Sequence, residues 1–388
     1  MRFVEDGDDQ IDPLAACHLD CLQTPCQAFW SIATPAPGCK GGGQEAVAAM
    51  ALSVGSWIGL FSDQDLDALR LALLGHGNVA RAFARLLEKK HSAYPFRIVG
   101  IHTATGGTAY HPAGAPIEPE FGPAAPSAEE FLDRSAAEVV VELTTLNPES
   151  GEPAISHIRA AFARGMHVIT ANKGPVAFAY RELSREAKLA GVEFRHEAVV
   201  MDGTPVFSLV RNSLPGVEIL GFAGTLTSTA QLILQTMREG RSLEQGIEQA
   251  RSLGLAEADP WFDIDGWDSA CKTAALANVL MDAGVTPRDV DRKGIGRMTP
   301  DKLAEVEAKG KRVVLVSRAR RVEGRLKLRV RAEVLDRDDL LAAARGSSTA
   351  VVLETGLMGQ VAVFSMNPTV EQTAYGVFAD LVDIARSL

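Results

Sequence analysis

Cysteine is scarce in this chain, with five in 388 residues, and the count is odd. Four of the five (Cys17, Cys21, Cys26 and Cys39) fall before residue 40, and no CxxC pair occurs. That excludes a disulfide framework and fits a reducing, cytoplasmic setting. These four also lack the paired knuckles and histidine spacing of a zinc site, so no structural metal is expected. Long apolar runs are missing as well. The best of them, Ala46–Phe61, is too short and too broken by glycine to cross a bilayer, and no membrane association is expected. The chain opens on Glu5, Asp6, Asp8 and Asp9, the wrong charge for a secretory leader. Positive charge is in deficit overall, and the net charge of −10 argues against nucleic acid as a partner. What is plentiful is apolar content, 46% of the residues, enough for the cores of two or three domains.

One glycine pattern stands out. Leu71-Ala72-Leu73-Leu74 runs into Gly75-His76-Gly77-Asn78-Val79-Ala80, and an amphipathic stretch follows to Glu88. A strand, a Gly-x-Gly-x-x-Ala turn and a helix in that order are the fingerprint of a dinucleotide site. Gly75 permits the tight turn, Gly77 lets backbone approach a diphosphate, and Ala80 allows close packing. The amides at Asn78 and Val79 would open the helix toward the phosphates. A second strand over Phe96–Ile101 should end beside the adenosine ribose. It reads Ile101-His102-Thr103-Ala104, with no acid to hold a ribose diol. NADP is therefore expected to serve at least as well as NAD, with Arg81 and His102 the nearest basic groups.

The second feature is acidic. Glu257, Asp259, Asp263, Asp265 and Asp268 crowd into a dozen residues before one lysine, Lys272. Asp268 and Lys272 are four apart and share a helix face. Glu257 and Asp263 suit a substrate ammonium. A partly buried lysine of lowered pKa could stabilise a developing alkoxide and exchange a proton with it. Lys173, expected at the end of a strand, would reach the same edge of the sheet, and two neighbouring lysines repel, easing proton loss from one.

The pattern elsewhere gives an organisation. Residues 1–66 are speckled with proline, glycine and cysteine and are expected to be a poorly ordered extension that catalysis does not need. Residues 67–203 alternate strand and helix: strands at 137–143, 167–171 and 192–198, helices at 154–163 and 181–190. That is the rhythm of a doubly wound parallel sheet, an α/β Rossmann-type fold. Residues 204–369 form a second, α+β unit with helices at 230–238, 243–253 and 267–283. Its strands are expected near 312–317, 326–334 and 350–355. A last helix over 370–386 is expected to pack back on the first unit. Leu326, Leu328 and Val330 alternate with Lys327, Arg329 and Arg331, which suits a sheet buried on one side. Continuing that sheet into a second copy would give a homodimer.

Five segments then carry a resemblance: Glu142-Leu143-Thr144, Thr170-Ala171-Asn172-Lys173-Gly174-Pro175-Val176-Ala177, His196-Glu197-Ala198, Gly203-Thr204-Pro205-Val206, and the acidic stretch ending at Lys272. In this order they resemble the homoserine dehydrogenases, from about residue 69 onward, in a short form without a regulatory domain. The resemblance implies reversible NAD(P)H-dependent reduction of aspartate 4-semialdehyde to homoserine, on the route to threonine and methionine. It implies Lys272 as the catalytic lysine, Asp268 as the acid beside it, and Lys173 as a second active-site lysine that also meets the cofactor. It implies Glu257 and Asp263 on the substrate and Thr144 on the cofactor. Glu197 would lie at a site for a monovalent cation such as sodium. The chain departs from the family at Gly224–Gln231, where Thr227 stands for the usual asparagine and Ser228 for the usual glycine. Thr227 is the expected reader of the substrate carboxylate. Val200-Met201-Asp202-Gly203 likewise replaces a glycine-rich turn after Glu197. Two other readings stay open: an oxidoreductase of this type acting on a different amino-acid aldehyde, or a non-catalytic nucleotide-binding relative.

Overall fold

The computed structural model describes residues 68–253 and 260–388; the expected extension over 1–66, and Glu257, lie outside the described residues. Arg70–Leu74 (β1) is buried after its first residue, as a central parallel strand must be. It turns at Gly75 into α1 (Asn78–Lys90), which buries Ala80, Phe83, Ala84 and Leu87 against the sheet. The chain continues through β2 (Arg97–Thr103), β3 (Gly107–Tyr110), α2 (Ala128–Ser135) and β4 (Val139–Glu142). Then come α3 (Ala154–Phe162), β5 (His167–Thr170), α4 (Lys173–Ala190) and β6 (Phe194–Arg195). The sheet order is β3-β2-β1-β4-β5-β6. All neighbours are parallel except β2 and β3. This is a Rossmann-type sheet, and the chain leaves β1 in both directions. Its switch point therefore opens between the ends of β1 and β4, at Leu74 and Glu142.

Three local expectations are corrected. The helix after β5 starts at Lys173 rather than Arg181. The Asn172 side chain accepts from the Gly174 N–H, and Pro175 falls in the first turn, where no intrahelical donor is missed. The strand expected over 192–198 is only Phe194–Arg195, because the chain coils into a 3-10 turn at Glu197–Val199. β3 and α2 were not expected. β3 pairs antiparallel with β2 through Gly107, whose φ of +100° and whose approach to the Gly122 carbonyl leave no room for a side chain.

The second sheet is assembled from β7 (Ile219–Thr225), β8 (Asp291–Arg292), β9 (Lys311–Val322), β10 (Arg325–Asp336), β11 (Thr349–Thr355) and β12 (Gly359–Ser365). Its order is β12-β11-β7-β9-β10-β8, antiparallel except that β8 runs parallel to β10. Register brings Phe222, Leu353, Ala319 and Leu328 into one buried row. The alternation over Leu326–Arg331 holds: Leu328 and Val330 are buried, Lys327 and Arg329 exposed. The helices interspersed with these strands are α5 (Ser228–Arg238), α6 (Leu243–Ser252), the short α7 (Trp261–Ile264), α8 (Trp267–Met281), α9 (Pro300–Ala308) and α10 (Leu340–Ala343). Helix α8 is buried on nearly all sides, between α4 and the second sheet. The last helix, α11 (Val370–Ser387), returns to the first sheet, with Val377, Phe378 and Leu381 in the same apolar cluster as Leu71, Phe83 and Phe96. Gly203, at φ +77°, lets the turn after Glu197 touch Gly376 of α11.

Candidate active site

Asp268 is the centre of the site. It lies in the first turn of α8, 5% exposed, and meets three groups from three different elements. Lys173 Nζ, from the start of α4, is 2.8 Å from Oδ1. Lys272 Nζ, one turn along α8, is 3.1 Å from Oδ2. The Thr227 hydroxyl donates to Oδ2 at 2.8 Å. Lys272 also donates to the Leu226 carbonyl at 2.8 Å, so its ammonium is held at two points. Burial alone would neutralise Asp268. The two lysines and the Thr227 hydroxyl reverse that and hold its carboxyl well below the usual range. For Lys173, burial works against the charge, but Asp268 prevails and holds the amine above the ordinary lysine range. The repulsion expected to free a proton from one lysine is thus absorbed at Lys173 by the carboxylate between them. Asp263 shifts the other way, raised by burial and by the charge of Asp268, with both lysines opposing.

These groups face a cavity of about 470 Å³ whose wall includes Lys173, Lys272, Asp268, Asp263, Ser228 and Thr229. Thr227 is not on that wall. It is 3% exposed, its hydroxyl taken by Asp268 and by Ser269 Oγ at 2.6 Å. The expectation that Thr227 reads the substrate is corrected: it sits at the N-cap of α5 with its side chain turned inward, and Ser228 and Thr229, the first residues of that helix, face the cavity instead. Sequence reasoning also missed Asp202 and the α11 residues Val370 and Thr373, which close the cavity from far along the chain. No local signal marks them, since only the return of α11 brings them near.

The nucleotide side is built at the switch point. Gly75 has φ +103°, and a Cβ there would sit 2.6 Å from the Leu143 carbonyl, so only glycine lets the turn rest on the β4 end. A Cβ on Gly77 would meet nothing within 4 Å, which leaves backbone open on that side. Helix α1 begins at Asn78 with no side-chain cap and no acid in its first turn. Uncapped amides and an unobstructed glycine at a helix N-terminus fit a dinucleotide diphosphate. Thr144 lies at the end of β4 beside that turn, its N–H donating to Glu142 Oε1 at 3.0 Å. Both basic groups expected near the ribose are already partnered: Arg81 with Glu118 at 3.0 Å and His102 Nδ1 with Thr108 Oγ1 at 2.8 Å.

The Glu197 carboxylate is taken up by backbone amides. Its Oε1 accepts the amides of Val206 and Phe207 at 2.6 and 2.8 Å, and its Oε2 that of Ser208 at 2.7 Å. The carboxylate caps the segment that follows, and a cation there would have to displace those amides. Among the described residues no three His, Cys, Asp or Glu side chains gather as metal ligands. The Glu197 side chain thus acts as a structural cap.

Comparison with known proteins decides the family. Residues 75–197 match the model of the homoserine dehydrogenase NAD-binding domain, and residues 205–382 that of homoserine dehydrogenase. The chain belongs to the homoserine dehydrogenase family. It is an oxidoreductase with an NAD-binding domain. The NAD(+)-dependent homoserine dehydrogenase of Pseudomonas canavaninivorans is 33% identical over 339 residues, covering 82% of this chain and 96% of that one. The homoserine dehydrogenase of Methanocaldococcus jannaschii is 39% identical over 252 residues, covering 65% and 74%. Among solved structures, the putative homoserine dehydrogenase of Archaeoglobus fulgidus superimposes with a TM-score of 0.74 at 26% identity, over 82% of this chain and 99% of that one. Among the described residues no helix is long and apolar enough to cross a membrane.

Proposed function

We propose that the chain interconverts aspartate 4-semialdehyde and homoserine with a nicotinamide dinucleotide. The observation that carries this reading is the Lys173–Asp268–Lys272 trio on the wall of one cavity, beside the open helix start of α5. Bound at the switch point, the nicotinamide would supply or accept the hydride. In the reducing direction the Lys272 ammonium donates to the aldehyde oxygen and passes it a proton as the alkoxide forms. In the oxidising direction the Lys272 amine takes that proton back. Asp268 aligns both lysines, and Lys173 stays cationic beside it, adding positive field near the cofactor. Asp263 accepts the substrate ammonium, whose arrival favours the ionised carboxylate; Glu257 is assigned the same task. The amides of Ser228 and Thr229, at the positive end of α5, receive the substrate carboxylate.

Cofactor choice and assembly belong to the same reading. With no acid at the end of β2, NADP serves at least as well as NAD. The outer face of the second sheet carries half-buried Ala223, Val352 and Phe364 beside the Arg318–Glu333 pair, a surface suited to a two-fold partner of the same chain. Light scattering on the purified full chain should give twice the monomer mass; a monomer across micromolar concentrations removes the dimer. The catalytic reading is tested by steady-state oxidation of homoserine against close analogues, with each nucleotide in turn. Preference for homoserine supports it, and no turnover of homoserine with either nucleotide rejects it.

A further inference from the structure

Glu142 ends β4 with no exposed surface, although no lysine or arginine pairs with it among the ion pairs of the described residues. Its charge is met by donors instead. Oε1 accepts the Thr144 N–H at 3.0 Å and also the Thr144 hydroxyl. Oε2 accepts the Thr170 hydroxyl at 3.1 Å. His157 Nδ1 stands 3.9 Å from Oε1, outside hydrogen-bond range. The Thr170 oxygen then accepts the Asn172 N–H at 3.0 Å, and Asn172 Nδ2 returns to the Thr144 carbonyl at 3.1 Å. The loop of bonds is closed: Glu142, Thr144, Asn172, Thr170 and back to Glu142.

The ring joins the two halves of the chemistry. On one side, Thr144 and Leu143 are the surface on which the Gly75 turn rests, with no space for even a Cβ between them. On the other, Asn172 caps α4 through the Gly174 N–H at 2.9 Å, and the next residue is Lys173, whose ammonium reaches Asp268. Glu142 and Thr170 are fully buried and Asn172 nearly so, while Thr144 is half-buried, so a partner lost between Glu142 and Thr170 could not be replaced by bulk water. We propose that Glu142 is a positioning residue, its carboxylate fixing the cofactor-side loop at Thr144 and the α4 start at Lys173 in one register. The idea rests on the reading of the site as a nicotinamide-dependent dehydrogenase. It assigns Glu142 no contact with substrate or cofactor.

The test uses the full chain with Glu142→Gln, Thr170→Val and Thr170→Ser. NADH fluorescence titration counts nucleotide-binding sites, and homoserine oxidation gives kcat per site and both Michaelis constants. Glu142→Gln and Thr170→Val should each lower kcat per site about tenfold and raise the cofactor KM, as expected for an unsatisfied buried donor or acceptor in the ring. The homoserine KM should change little. Thr170→Ser restores the hydroxyl and should recover most of the loss. A merely structural role would lower the melting temperature while leaving kcat per site and cofactor KM as in the parent, and that result overturns the proposal. If Glu142→Gln does not fold, the Thr170→Val and Thr170→Ser pair decides alone: equal kcat per site in the two overturns it. If the parent does not oxidise homoserine, the functional reading fails separately. The ring is then judged by NADH affinity, which should be weaker in Thr170→Val than in Thr170→Ser; equal affinity overturns it.

Discussion

Asp268 and Glu197 are both buried carboxylates, 5% and 4% exposed, and they are satisfied in opposite ways. Asp268 is held by two lysine ammonium groups that line the cavity, so its charge is coupled to groups that a bound ligand can reach. Glu197 is held by three consecutive backbone amides, which have no charge to exchange and cannot move without the fold. The lesson is that burial of an acid does not by itself mark chemistry. The partners decide, and side-chain cations facing a cavity mean reactivity where amides mean architecture.

Replacing each acid separates the two cases. Asp268→Asn leaves two ammonium groups facing one neutral amide. The cost in stability should be about 3 kcal/mol, at the low end for a broken buried pair because both lysines reach the cavity. Activity should fall with it. Unchanged thermal unfolding together with unchanged kcat would show that the trio is not coupled. Glu197→Gln confronts three amide donors with an NH2, and should cost about 1–3 kcal/mol while kcat at permissive temperature stays within a few-fold. Activity that instead depends on sodium or potassium, and loses that dependence in Glu197→Gln, would place a cation site there.

A third acid sharpens the contrast through pH. Asp380 of α11 is buried and accepts the Glu197 N–H at 2.7 Å, and burial pushes its carboxyl up to about 8. Its unfolded value is the ordinary 3.8. Below both values each state holds the proton. Between them only the folded state does, so this group's contribution to stability is lost as pH rises from about 4 to about 8 and is flat above. Asp380→Asn keeps the acceptor and removes the titration. Its melting temperature should match the parent near pH 4 and exceed it at pH 9; an equal difference at both would show that Asp380 titrates normally.

The smallest effect concerns the cofactor. The ratio of kcat/KM for NADP to that for NAD should be one or greater, since no carboxylate ends β2. A clear preference for NAD, as the name of the Pseudomonas relative would suggest for that protein, would mean that some group other than a strand-end acid holds the ribose.

What could be read from the sequence was local in the chain. The Gly75–Ala80 turn is contiguous, so its strand–turn–helix context and its glycine conformations were visible before any fold was known. Asp268 and Lys272 share a helix face by spacing alone. The placement of Thr227 was not legible, because a one-residue difference at a helix start decides whether a hydroxyl meets the cavity or Asp268. The Glu142 ring was hidden for another reason. Its members are ordinary in sequence and become a unit only when β4 and β5 lie side by side with Glu142 opposite Thr170. The short β6 was misjudged because Glu197 draws the amides of 206–208 and coils a stretch whose residues favour a strand.

The central claim is that the lysine held by Asp268 does the chemistry, and kcat for homoserine oxidation at saturating substrates in Lys272→Ala tests it most directly. Loss of the group that stabilises the oxyanion and carries the proton should remove about 3–4 kcal/mol of transition-state binding, a fall in turnover of a few hundredfold, with the fold and NADH binding retained. A folded Lys272→Ala enzyme that keeps most of its turnover would contradict the assignment.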